Sequence, residues 1–141
     1  FVFINIQAMR TKVEELSFSW SPKNGIFFCV NEDWLRQEEL PLYTPAGYEL
    51  VTYYSRLRKN GGGVAIFIKN NLEIVYAILN ISKLCIDKLF EAAAVVVFKN
   101  NIIVITVYHY PDSDIQTLVG PTVLEDLFFL SSNIRNIKFS Y

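Results

Sequence analysis

Ile26-Phe27-Phe28-Cys29-Val30 is an unbroken apolar run, and the chain turns polar directly after it at Asn31, Glu32 and Asp33. A strand without polar alternation is one covered on both faces, as in the interior of a layered domain. Upstream, residues 1–6 form a second apolar run. Between the two lies a helical pattern, with Met9, Val13, Leu16 and Trp20 on one face and Arg10, Lys12, Glu14 and Glu15 mostly on the other. Ser21-Pro22-Lys23-Asn24-Gly25 closes it, because proline and glycine punctuate helices. Strand, helix and strand in this order predict a layered α/β domain.

Downstream, Trp34, Leu35, Pro41 and Pro45 mark a short helix followed by a loop, and residues 48–54 read as a strand. Residues 55–60 form a basic loop. Gly61-Gly62-Gly63 then opens a buried strand over residues 64–68, and residues 72–79 read as extended. Two β-branched runs, residues 90–98 and 102–108, are joined by Lys99-Asn100-Asn101, which is hairpin chemistry. Pro111-Asp112-Ser113-Asp114 reads as a turn, with Asp114 or Thr117 as cap for a helical spacing over residues 123–134. Residues 137–141 read as the start of another strand. Strands in the middle and helices toward either end fit a two-sheet α/β sandwich.

The 141 residues suit one domain, and 52% hydrophobic with only 19% charged residues excludes intrinsic disorder. Thirteen Lys and Arg against 14 Asp and Glu argue against a polycation that coats nucleic acid, but not against a local basic patch. The longest apolar run, residues 92–98, is bounded by Glu91 and Lys99 and falls far short of the ~18 residues of a membrane span. Cys29 and Cys85 lie in apolar segments without metal-ligand spacing and read as buried free thiols. The opening residues carry no signal-peptide pattern, and a start inside an apolar run suggests a piece of something longer.

Glu32 directly follows the buried run, at the strand end where α/β folds place their sites. It is a candidate ligand for Mg²⁺, which takes oxygen donors and often only one or two carboxylates. A solvated loop acid is the alternative. Asn5 closes the first run and could orient a phosphate oxygen or water, or be a turn residue. Tyr108 closes the last strand and could place its hydroxyl on a phosphate, or be an aromatic at a sheet edge. Arg56, Arg58 and Lys59 make the best local basic patch for a phosphate backbone; a solvated loop is the alternative. His109, the single histidine, has no nucleophile beside it and is not evidence for a triad or a zinc site. The glycine triplet lacks the Lys-Ser/Thr of a P-loop and precedes a strand, so it reads as tight backbone passage.

Taken in order, Asn5-Ile6-Gln7, Lys12-Val13-Glu14-Glu15-Leu16, Glu32-Asp33-Trp34-Leu35, Gly47-Tyr48, Gly61-Gly62-Gly63-Val64-Ala65-Ile66, Val107-Tyr108 and Pro111-Asp112-Ser113-Asp114 resemble one family. It is the endonuclease/exonuclease/phosphatase domain at the front of non-LTR retrotransposon polyproteins of the jockey type. The resemblance covers nearly the whole chain. It implies a four-layered α/β sandwich with its site at one rim, and cleavage of phosphodiester or phosphomonoester bonds with Mg²⁺ or Mn²⁺. In the retroelements a DNA nick exposes a 3′-hydroxyl that primes a downstream reverse transcriptase, which implies DNA as partner and a nuclear location. Carried over by motif, Asn5 organises the phosphate and attacking water, Glu32 is the metal ligand, and Tyr108 hydrogen-bonds the scissile phosphate.

The chain departs from the family in two missing segments and at two single positions. Neither the G-D-x-N segment, with its general base and phosphate-binding Asn, nor the S-D-H segment, with its carboxylate–histidine pair, occurs in the sequence. Asn31 stands where the family commonly has Thr, and His109 where it often has Arg. The expectation is an incomplete domain over residues 1–141, truncated at the carboxyl end, poorly soluble and nearly inactive by itself. Two other readings share these residues: an inactive retroelement-derived interaction module, and a phosphatase or phosphodiesterase of the same fold acting on lipid or inositol phosphates.

Overall fold

A computed structural model describes residues 1–18, 25–57, 61–100 and 102–110, together with Glu125. Among them are seven strands and one α-helix: β1 (Val2–Asn5), α1 (Met9–Phe18), β2 (Phe27–Asn31), β3 (Tyr48–Tyr54), β4 (Val64–Lys69), β5 (Tyr76–Leu79), β6 (Phe90–Val97) and β7 (Ile102–His109). The strands form two sheets, one ordered β1-β2-β4-β3 and the other β5-β6-β7. Only β1 and β2 run parallel, joined by α1; every other pair is antiparallel.

Side-chain alternation sorts the core into layers. Between the sheets, Phe27, Cys29, Val64, Ile66 and Ile68 meet Ala93, Val95, Val97 and Val104. On the other face of the first sheet, Phe28, Val30, Ala65 and Phe67 pack with Ile6, Met9 and Leu16, with Val13 half-buried beside them. That placement follows the apolar stripe of α1. Its polar side faces outward, where Arg10 donates from Nε to Glu39 Oε1 at 2.7 Å. The outer face of β6 presents Phe90, Ala92, Ala94 and Val96 to Leu79 and Ile81. All eight residues of β6 are therefore buried. Across β4, Tyr48 of β3 lies tilted against Phe28 of β2 at 5.9 Å, and its hydroxyl donates to the Gly25 carbonyl at 2.8 Å. Tyr48→Phe removes that buried bond, and a loss of about 1 kcal/mol is expected in urea unfolding.

The four-layered α/β sandwich expected from the sequence does not hold. The described chain is mostly β, with two sheets and a single α-helix. The apolar runs are real buried strands, but such a run reports only that both faces are covered, not what covers them. Here the second sheet covers one face, while one helix and irregular chain cover the others. The polar stretch after Trp34 holds the expected short helix as a 3₁₀ helix, Leu40–Tyr43. Its two prolines remove donors that a longer helix would need. Of the extended segment at residues 72–79, only β5 is a strand. The hairpin of β6 and β7 forms where its turn residues put it. Trp20, the helix stop at residues 21–24, Arg58, Lys59, the turn at 111–114, the cap at Asp114 or Thr117, the helical spacing at 123–134 and the strand at 137–141 lie outside the described residues, Glu125 excepted. No helix among the described residues is long and apolar enough to cross a membrane.

Candidate functional site

The two sheets share one polar rim, where β2 ends, β4 begins, β6 begins and β7 ends. Asn31, the last residue of β2, has Asn5 as its register partner on one side and Val64 on the other. Its side chain reaches across to the second sheet: Nδ2 donates to the Val107 carbonyl at 2.8 Å, and Oδ1 accepts from the Thr106 hydroxyl. One amide thus staples the sheets at the rim.

Beyond Asn31 the backbone is strained. Glu32 and Trp34 both take φ of 58°, and nearby Gln7 and Ala8 take 44° and 72°. A non-glycine residue in the left-handed region costs roughly 1–2 kcal/mol, and such conformations cluster at functional sites. Four backbone bonds hold this turn. Glu32 N donates to Gly63 O at 2.9 Å and Trp34 N to Gly62 O at 3.0 Å. Ala8 N donates to Glu32 O at 3.1 Å and Met9 N to Asp33 O at 2.9 Å. The turn delivers Glu32, half-exposed, to the rim beside Tyr108, near enough for its carboxylate to act on the phenol. Burial first, and the neighbouring Glu32 carboxylate next, push the Tyr108 phenol up to about 12, while Arg56 pulls the other way. The phenol is therefore a hydrogen-bond donor at neutral pH.

Beneath this pair sits a buried charge cluster. Glu91, the second residue of β6, is directly opposite Tyr108 in the hairpin register. Its Oε1 accepts from Arg56 Nε and from the Lys88 amide at 3.0 Å, and its Oε2 accepts from the Gly63 amide at 2.6 Å. Arg56 and Glu91 form an ion pair with side chains 5% and 0% exposed. The Arg56 guanidinium also lies over the Tyr108 ring, 6.0 Å from its centroid. Asp33 completes the cluster. Leu35 N donates to its Oδ1 at 2.8 Å, Oδ2 has no partner among the described residues, and burial pushes its pKa up to about 7.

The glycines explain how this fits. A Cβ on Gly62 would stand 2.3 Å from the Arg56 guanidinium carbon, and one on Gly63 would stand 2.7 Å from Asp33 Oδ1. Both also have positive φ, 72° and 86°, which glycine adopts at little cost. The tight passage expected from the sequence is a tight passage around two buried charged groups.

Of the sequence candidates, the rim brings Glu32 and Tyr108 together and sets Asn5 one strand away. Asn5 also borders an open cleft of about 320 Å³, lined with Ile6, Lys12 and Glu15 among others. Arg56 is inside the protein rather than in solvent, and Arg58 and Lys59 are outside the described residues. His109 follows Tyr108 on β7 and so faces the opposite side of that strand. Glu91, Asp33 and Asn31 are the rim residues without a site role in the sequence reading. Glu91 had one legible signal, a carboxylate heading an apolar run that would have to bury it.

Among the described residues no group of three or more His, Cys, Asp and Glu is arranged to hold a metal. Glu91 has both oxygens engaged within the protein, and Asp33 is fully buried. Glu32 is the rim carboxylate within reach of solvent. One carboxylate, with an amide and a phenol nearby, is a donor set that fits Mg²⁺ held largely through water. Cys29 is buried and Cys85 half-buried, and both are free thiols pushed up by burial, to about 12 and about 11. Neither is a reactive thiolate at neutral pH. No protein-family model and no curated protein matches the chain.

Proposed function

We propose that this chain is part of a metal-dependent phosphodiesterase, a DNA-nicking endonuclease of a retroelement related to the endonuclease/exonuclease/phosphatase group. The observation that carries the reading is the placement of Glu32 and Tyr108, far apart in sequence, at one rim, where Gly63 bonds both the Glu32 amide and Glu91, the strand partner of Tyr108. The ordered motifs of the sequence support it as well; the layer arrangement does not enter. In this reading Glu32 holds Mg²⁺ or Mn²⁺ with water filling the remaining positions. When bound, the ion offsets charge on the phosphate oxygens and lowers the pKa of coordinated water. The Tyr108 hydroxyl donates to a phosphate oxygen, and the Asn5 amide orients the phosphate from the neighbouring strand. Arg58 and Lys59 meet the DNA backbone. The nick primes a reverse transcriptase encoded downstream, which sets the work of the full element in the nucleus.

No G-D-x-N or S-D-H segment occurs in the 141 residues, so a general base and a carboxylate–histidine pair must come from elsewhere in the gene product. The test therefore compares this chain with a longer product of the same reading frame, on supercoiled plasmid with Mg²⁺. Nicking by the longer product is expected, with Glu32→Gln lowering its rate by roughly 10²-fold or more. DNA binding by the chain alone should weaken steeply as salt rises. Salt-dependent binding without nicking in either form would leave a DNA-binding module. Nicking that ignores both Glu32→Gln and Mg²⁺ would end the proposal.

A further inference from the structure

The Arg56–Glu91 pair is costly for the fold to keep. Two charges are withdrawn from water almost completely, and buried pairs of this kind can often be replaced by apolar side chains without loss of stability. What an apolar pair cannot do is fix directions. Glu91 accepts from three separate segments: Arg56 just after β3, Gly63 just before β4, and Lys88 in the turn ahead of β6. Arg56, held at Nε, lays its guanidinium over the ring of Tyr108, and Tyr108 is the residue opposite Glu91 in the hairpin. Gly62 leaves room for that guanidinium where any side chain would collide with it. The Tyr108 ring is thus bounded by its own strand partner, Glu91, and by the cation that Glu91 orients.

We infer that Arg56 and Glu91 are a positioning pair that aims the Tyr108 hydroxyl at Glu32, so that Arg56 acts through Tyr108 and not on the DNA backbone. The inference deepens the phosphodiesterase reading and rests on it for its purpose, but its test does not depend on nicking. The full chain is labelled with 3-fluorotyrosine, and the Tyr108 fluorine resonance is assigned by its disappearance in Tyr108→Phe. Glu32→Gln should shift that resonance, because it removes the charge beside the phenol. In a variant carrying Arg56→Met with Glu91→Met, the resonance should move, and the further shift on adding Glu32→Gln should vanish. A pair that only stabilises the fold leaves that response intact in any folded variant.

A folded methionine pair with an unchanged resonance and an undiminished Glu32→Gln response overturns the inference. If the methionine pair does not fold, Arg56→Lys is read in its place. Lysine keeps the charge but loses the planar group over the ring, so the response to Glu32→Gln should fall by at least about half. An unchanged response, or failure of this variant to fold as well, also overturns it, since the pair then holds the fold and does not aim Tyr108. Loss of coupling together with absence of nicking would keep the positioning role and remove the phosphodiesterase reading.

Discussion

Glu91→Ala is expected to cost about 3–5 kcal/mol of folding stability, because breaking a buried ion pair leaves the surviving charge without compensation. The Arg56 guanidinium would remain enclosed, with Nη2 already lacking a partner and Nε newly deprived of one. The Gly63 and Lys88 amides would lose their acceptor in the same step. Each unsatisfied buried donor adds its own desolvation cost, on the order of 1–3 kcal/mol. Urea unfolding should show a lower midpoint with an unchanged slope, since the surface exposed on unfolding stays the same. Glu91→Gln keeps an acceptor for one donor and should fall between the two. A loss under about 1 kcal/mol for alanine would mean that water reaches the cluster, as at a surface pair.

Asp33 predicts an unusual dependence on pH. Burial is the main reason its carboxyl is raised, the Glu91 charge adds to it, and the Leu35 amide and Arg10 oppose it. A carboxyl raised on folding binds its proton more tightly in the native state, so stability falls as pH rises between the unfolded and folded values. That stability is fully present below 3.8 and is lost as pH passes about 7. The rise from 3.8 to about 7 corresponds to on the order of 4 kcal/mol at most. Asp33→Asn removes the titration. Stability measured for both proteins from pH 4 to 8 should therefore diverge, with the native protein losing ground to the variant as pH rises. The amide's own constant cost shifts the two curves vertically but does not alter their divergence. Parallel curves would show that Asp33 ionises without penalty, and that solvent reaches the space behind Gly63.

The elements were legible wherever a periodic pattern acted over a short distance. The stripe Met9, Val13 and Leu16 made α1, and Lys99-Asn100-Asn101 made the β6–β7 hairpin. Layering was less legible, because an apolar strand carries the same pattern whether a helix or a sheet lies over it. The run at residues 26–30 is covered by both, Cys29 by the second sheet and Phe28 by α1. Arg56 read as one cation among three in a loop. Its burial depends on Gly62 and Glu91, which lie elsewhere in the chain and are neutral or acidic.

Local sequence by itself marked the buried strands, α1 and the β6–β7 turn, and placed Glu32 and Tyr108 near strand ends, because hydrophobic period and turn chemistry act within a few residues. Only the tertiary structure decided that two mostly antiparallel sheets face each other, that Glu32 meets Tyr108, and that Arg56 and Glu91 are sealed beneath them. Those outcomes depend on which distant strands pair, and on two glycines, Gly62 and Gly63, whose missing side chains matter only to what is packed against them.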